Sequence, residues 1–219
     1  MELICSVIIP PDDYLIQAKK LCKEHNVLFI ADEIQTGLGR TGKLLACDYA
    51  NVKPDILILG KALSGGFYPI SAVLSRKDIM LCFQPGEHGS TFGGNPLACA
   101  IGMEALQITI DENLVNNSFK MGEIFRHLLS TLKFSFIQEI RGQGLLNAIE
   151  IDENVTETGY SAFDLCLLMK ENGLLAKPTR NNIIRFAPPL CITQNEIEAS
   201  FEIIKKSMAQ FQSLINSTI

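Results

Sequence analysis

Hydrophobic positions fall into two kinds along the first part of the chain. Tyr14, Ala18, Leu21 and Cys22 recur at helical spacing behind Pro11-Asp12-Asp13, where Asp12 or Asp13 can cap the free N–H groups of the first turn. His25-Asn26 closes that helix. Val27–Ala31 and Ile56–Leu59 are instead unbroken apolar runs, the pattern of strands covered on both faces. The residues between them suffice for the crossover of a parallel pair. A third run, Ile70–Leu74, follows too soon for another such crossover and is expected antiparallel. From Asn95-Pro96 to about Leu132 the pattern is helical again. Met103, Leu106 and Ile110, then Met121, Ile124, Phe125 and Leu128 form stripes broken near Asp111–Asn116. Beyond Phe134 the order is strand (Leu145–Ile151), helix (Ala162–Asn172), strand pair (Leu174–Lys177 and Ile183–Ala187) and closing helix (Gln194–Leu214). Gly173 is placed to end its helix as a left-handed cap. The chain therefore divides into an α/β part, 1–133, and a smaller α+β part, 134–219.

Composition narrows the function. The 219 residues can bury one large core or two modest ones, and 47% hydrophobic with 20% charged residues is ordinary for a soluble globular protein. A net charge of −5 argues against nucleic acid, whose phosphates need clustered Lys and Arg. No apolar run approaches the roughly 20 residues that span a bilayer. The N-terminus has the layout of neither a signal peptide nor a mitochondrial presequence. A cytoplasmic location is expected, or the mitochondrial matrix if a targeting segment lies upstream. The seven cysteines are scattered, odd in number and without a Cys-x-x-Cys pair, which suggests unpaired core thiols in a reducing compartment. His25, His88 and His127 show no ligand spacing, so no metal site is expected.

Candidate chemistry sits at strand ends. Asp32 follows the first apolar run and Lys61 the second. In an open α/β sheet ligands bind outside the carboxyl edge, so parallel strands would turn both side chains toward one crevice. A carboxylate and an amine emerging together suit pyridoxal phosphate: the amine condenses with its aldehyde, and the carboxylate keeps its ring nitrogen protonated. Each residue alone is equally well a solvated strand end. Pro85–Asn95, with its glycines, Ser90 and Thr91 directly before a helix, suits a phosphate, or else a mobile surface loop. Gly37-Leu38-Gly39-Arg40-Thr41-Gly42 spells a dinucleotide fingerprint but fails on context. Glu33–Thr36 separate it from the strand, and the next strand ends in Gly60-Lys61 rather than an acid for the ribose. Arg185, flanked by apolar residues in a strand, reads as a two-pronged clamp on a substrate carboxylate, as an internal ion-pair partner, or as an exposed residue.

Ala31-Asp32-Glu33-Ile34-Gln35-Thr36-Gly37, Gly39-Arg40-Thr41-Gly42, Lys53-Pro54-Asp55-Ile56, Gly60-Lys61-Ala62-Leu63-Ser64-Gly65-Gly66 and Gly89-Ser90-Thr91-Phe92-Gly93-Gly94-Asn95-Pro96-Leu97 together resemble the class III aminotransferases. The likeness runs from about Ile9 to the C-terminus. Within the class, Phe67-Tyr68-Pro69, Pro85-Gly86-Glu87-His88, Gly144–Ile149 and Leu174–Thr179 followed by Arg185–Pro189 resemble the branch that acts on ornithine. The branches acting on acetylornithine or 4-aminobutyrate fit this second set less well.

The resemblance implies a type I pyridoxal-phosphate fold: a mostly parallel sheet with one antiparallel strand plus a small C-terminal domain, working as a homodimer with shared sites. It implies transfer of the δ-amino group of L-ornithine to 2-oxoglutarate. Lys61 would bond the cofactor and shuttle the proton. Asp32 would pair with the pyridine nitrogen, Ile34 would pack on the ring, and Gln35 would bond its hydroxyl. Ser90 and Thr91 would hold the phosphate of the neighbouring subunit's cofactor, and Arg185 the α-carboxylate of 2-oxoglutarate or glutamate. Family members also carry, upstream of the equivalent of Ile9, a phosphate-holding loop and an aromatic stacked on the ring. Met1–Ser6 matches none of that. The chain is thus expected to represent the C-terminal half of such an enzyme, with a non-catalytic, partner-pairing fragment as the alternative.

Overall fold

The computed structural model describes residues 6–217, so Cys5 and most of Met1–Ser6 lie outside the described residues. They form two compact units, residues 10–115 and residues 6–9 with 116–217. The units divide at Asn116, whereas the sequence division lies at 133/134. The helix between these points buries Phe125 and Leu129 in the core of the second unit. Among the described residues no helix is long and apolar enough to cross a membrane.

In the first unit α1 (Tyr14–Glu24) leads to β1 (Ile30–Asp32), and a crossover whose helical part is one 3-10 turn, Ala46–Tyr49, leads on to β2 (Ile56–Leu59). A single turn at Lys61–Ser64, β3 (Ala72–Ser75), the short α2 (Lys77–Met80) and α3 (Pro96–Asp111) follow. The sheet order is β1-β2-β3, with β1 parallel and β3 antiparallel to β2. Both strand directions were expected. Asp13 stands at the N-cap of α1, but its carboxylate takes the Gln17 side-chain amide instead of a first-turn N–H. The helix closes as anticipated: Asn26 turns left-handed (φ 52°), and the N–H of Val27 reaches back to the Cys22 carbonyl at 2.8 Å.

Two expectations fail here. Val27 and Leu28 lie outside β1 and are exposed, and Ile30 is 53% exposed. The apolar run is therefore not covered on both faces. No residue of α1 is buried either. Likewise α3 leaves Met103 and Ile110 outside and buries Ala98 and Gly102 instead. A methyl on Gly102 would already crowd Ile70 at 3.3 Å and the Leu63 carbonyl at 3.5 Å. Close approach of the helix backbone at Ala98 and Gly102 sets the packed face, which of the expected stripe takes only the half-buried Leu106. Asn95 does start α3 as expected, accepting the Ala98 N–H at 2.9 Å ahead of Pro96.

The second unit is a four-stranded antiparallel sheet in the order β4-β5-β7-β6: β4 (Ile137–Gln143), β5 (Leu146–Ile151), β6 (Lys177–Thr179) and β7 (Ile183–Phe186). It packs with α4 (Leu114–Ser130), α5 (Ala162–Glu171) and α6 (Gln194–Asn216). β4 is an addition to the sequence reading. Its alternating charges mask it, and a bulge at Ile137/Glu139 breaks its period. β6 begins later than expected and holds Pro178, which an edge strand tolerates. Gly173 caps α5 with φ 100°, as anticipated. α6 opens with a capping box between Thr193 and Glu196, then buries Ile197, Phe201, Ile204, Met208 and Phe211 along one face. The described cysteines are free thiols, but Cys82, Cys99 and Cys191 are exposed, which corrects the core placement for these three.

A small-residue face of α4 holds the β4–β5 turn. Ser118 Oγ accepts the Leu145 N–H at 3.2 Å, and Arg126 donates to the Gly144 carbonyl at 2.8 Å and to Asn147 Oδ1 at 2.7 Å. Between them Gly122 leaves no room: an added Cβ would stand 1.9 Å from the Gly144 oxygen. Gly122→Ala should therefore cost about 3 kcal/mol, with the backbone forced apart. Gly89→Ala, in open space, should stay within about 0.5 kcal/mol. Urea midpoints compare the two, and equal midpoints would contradict the close approach.

Candidate active site

The parallel register places Ala31 opposite Leu57 and Asp32 opposite Ile58. Asp32 therefore emerges at the carboxyl edge of β1, on the side where β2 runs out into Gly60 and Lys61. A tight turn follows β1. Asp32 Oδ1 accepts the Ile34 N–H at 3.0 Å, and the Glu33 carbonyl accepts the Gly37 N–H at 3.0 Å. Glu33 itself is buried. Its carboxylate takes the Cys47 N–H at 2.8 Å and the Thr36 hydroxyl, which ties the turn to the crossover. Burial, with Glu33 beside it, pushes the Cys47 thiol up to about 12, which disfavours its thiolate form.

Lys61 opens the turn after β2 in the left-handed region, with φ 45°. Its Nζ donates to Gln35 Oε1 at 3.1 Å, which brings the two loops together. Ile34 lies over Gly60: a Cβ there would touch Ile34 Cγ2 at 3.5 Å and Ser71 at 3.6 Å. Asp32, Ile34, Gln35 and Lys61 are thus gathered at one edge of the sheet in residues 10–115. Lys61 also lines an open cavity of about 690 Å³ with Tyr68, Pro69, Ile70, Ser71, Phe92–Asn95 and Ala98. The first four of these were given no site role in the sequence, although Tyr68 and Pro69 lie in a motif of the resemblance and Ile70 opens the third apolar run.

Ser90 and Thr91 are exposed on the loop before α3, and Ser90 Oγ accepts the Gly93 N–H at 2.8 Å. Neither lines the Lys61 cavity. Arg185 lies in the other unit. It is half-buried on β7 opposite Ala148 and Lys177, on the face away from the main core that takes Ile184 and Phe186. Among the described residues it makes no ion pair. A second cavity of about 590 Å³ in that unit is lined by Arg141, Glu139, Glu150 and Asn182 among others. Arg141 there is already bonded to both glutamates and to the Ser6 and Val7 carbonyls.

A sequence profile of the family described as Aminotransferase class-III matches residues 5–208. The chain belongs to this family. It is 58% identical over 202 residues to the mitochondrial ornithine aminotransferase of Drosophila ananassae, covering 92% of this chain and 46% of that one. An ornithine aminotransferase structure from Toxoplasma gondii, described with partial occupancy of PLP at its active site, superposes with TM-score 0.90 at 49% identity, covering 95% of this chain and 49% of that one. An acetylornithine aminotransferase structure from Elizabethkingia anophelis gives 0.87 at 54% identity, covering 92% and 50%. The chain thus spans about half the length of the relatives it matches, and its mixed sheets and helices are those of part of the family's fold.

The left-handed backbone at Lys61 generates a stability prediction. A side chain in that region costs on the order of 1 kcal/mol that glycine avoids. Lys61→Gly should therefore unfold at higher urea than Lys61→Ala, although glycine weakens most other positions. If Lys61→Ala were the more stable of the two, the backbone would not be left-handed in solution.

Proposed function

We propose that this chain carries the cofactor-bonding half of a pyridoxal-phosphate aminotransferase that moves the δ-amino group of L-ornithine to 2-oxoglutarate. The observation that supports it most directly is the Lys61–Gln35 hydrogen bond at the edge where Asp32 emerges. When bound, pyridoxal phosphate supplies an aldehyde for amines and a ring that accepts the electrons released at the substrate carbon. Lys61 Nζ would hold it and carry the proton. The Asp32 carboxylate would keep the ring nitrogen protonated, Ile34 would lie on the ring and Gln35 would bond its hydroxyl. Ser90 and Thr91 would serve the phosphate in a second copy's site, and Arg185 would take a substrate carboxylate with both prongs. Relatives named for ornithine favour that substrate over acetylornithine, its nearest rival. For the compartment the reading is cytoplasm against mitochondrial matrix, and relatives named mitochondrial favour the matrix.

Incubating the chain with pyridoxal phosphate, reducing with borohydride and mapping peptides tests the assignment. The label should fall on Lys61 and vanish from that peptide in Lys61→Ala. A label carried mainly by other lysines in the parent would overturn it.

One observation favours a second reading, that the chain acts by pairing with another chain. Among the described residues β1 is an edge strand, with Val27 and Leu28 before it and Ile30 within it exposed, and an open apolar edge recruits another strand. On this reading the isolated chain should self-associate by light scattering and give no steady turnover of ornithine with 2-oxoglutarate. A soluble monomer with steady turnover would refute it.

A further inference from the structure

Asp55 stands immediately before β2, is 9% exposed and has both carboxylate oxygens occupied. Oδ2 accepts the Phe29 N–H at 2.9 Å and Lys19 Nζ of α1 at 2.5 Å. Oδ1 accepts Arg76 Nη1, just past β3, at 2.6 Å. The backbone joins in: the Asp55 N–H donates to the Phe29 carbonyl at 2.9 Å, and its carbonyl accepts Ser75 Oγ at 2.6 Å. One residue therefore links α1, the entry to β1, the start of β2 and the end of β3. The carboxyl is held down at about 2, chiefly by Lys19 and then by the Phe29 N–H, so it stays ionised at neutral pH.

This junction lies at the opposite end of the strands from the candidate active site, and the strands are short. Asp32 is three residues beyond Phe29, and Lys61 is six beyond Asp55. β1 contributes three residues and, among the described residues, pairs only with β2. Its ladder alone is thin. A slip of one residue would move Asp32 by about 3.3 Å along β2 and turn it to the other face of the sheet. The Phe29 N–H is the donor that a slipped β1 would withdraw from Asp55.

We infer that Asp55 is a positioning residue: by fixing Phe29 against the start of β2 it sets the register that brings Asp32 and Lys61 out at one edge. The inference deepens the cofactor reading given above and rests on it for its functional meaning. Asp55 touches neither Lys61 nor Asp32 and acts only through the strands.

The test compares the whole parent chain with Asp55→Ala, Asp55→Asn and Arg76→Gln, using amide exchange and borohydride trapping of pyridoxal phosphate. In Asp55→Ala, exchange protection should fall roughly tenfold at residues 29–33 while α5 and α6 keep theirs. Lys61 should also lose its share of the trapped cofactor to other lysines. Asp55→Asn keeps an acceptor for the Phe29 N–H and should lie between Ala and the parent. Arg76→Gln should change trapping little. Unchanged protection at 29–33 in Asp55→Ala overturns the inference, and so does a uniform loss across residues 10–115, which marks a merely stabilising residue. If the parent itself fails to trap on Lys61, the cofactor reading falls while the exchange pattern still decides the role of Asp55.

Discussion

Ile30 lies opposite Ile56, Ala31 opposite Leu57 and Asp32 opposite Ile58, and the candidate site exists only in that parallel register. Nothing in three residue pairs makes it unique. The connection between the strands contains no α-helix to pack back across the sheet, so other contacts must fix where it starts and stops. Buried Glu33 does this at the carboxyl end, taking a backbone N–H and a hydroxyl from the crossover. Asp55 does it at the amino end, with two cations and a backbone N–H converging on one carboxylate. Both are acids that a low-dielectric interior would reject if their partners were removed.

The same loop that needs this register also carries local strain. Lys61 is left-handed although it is not glycine, in a turn pressed against the small-residue face of α3. Gly102 lets the helix backbone come near the Leu63 carbonyl, and the price is that Met103 and Ile110 point outward. Strained backbone of this kind persists where surrounding contacts over-determine it. Here those contacts come from α3 on one side and from Gln35, through the Lys61 amine, on the other.

The two units differ in how well they cover their apolar surface. Residues 116–217 close around one continuous core of Phe125, Leu129, Ile149, Leu165, Met169, Ile184, Ile204, Met208 and Phe211. Residues 10–115 gather only Leu38, Leu59 and Leu63 as a buried cluster, and leave Tyr14, Leu21, Leu28, Ile30 and Phe67 exposed. Among the described residues the first unit's sheet ends at β1, where Val27, Leu28 and Ile30 stay exposed.

Local sequence determined a great deal. The start of α3 at Asn95, the closure of α1 at His25-Asn26, the left-handed cap at Gly173, and the parallel then antiparallel order of the three apolar runs were all legible, because each depends on neighbours within a few residues. So was the placement of Asp32 and Lys61 just at or beyond the carboxyl ends of neighbouring parallel strands, since it needs only strand direction. Only the tertiary structure decided which face of α3 packs, because small residues win that contact through backbone distance, which periodicity does not encode. It alone revealed β4, whose charges alternate like an exposed loop until β5 supplies the partner. It alone showed that Asp55, one acid after a proline in the chain, is the point where four elements meet. Hydrogen-bond partners that lie 21 to 36 residues apart are chosen by the fold, not by the local sequence.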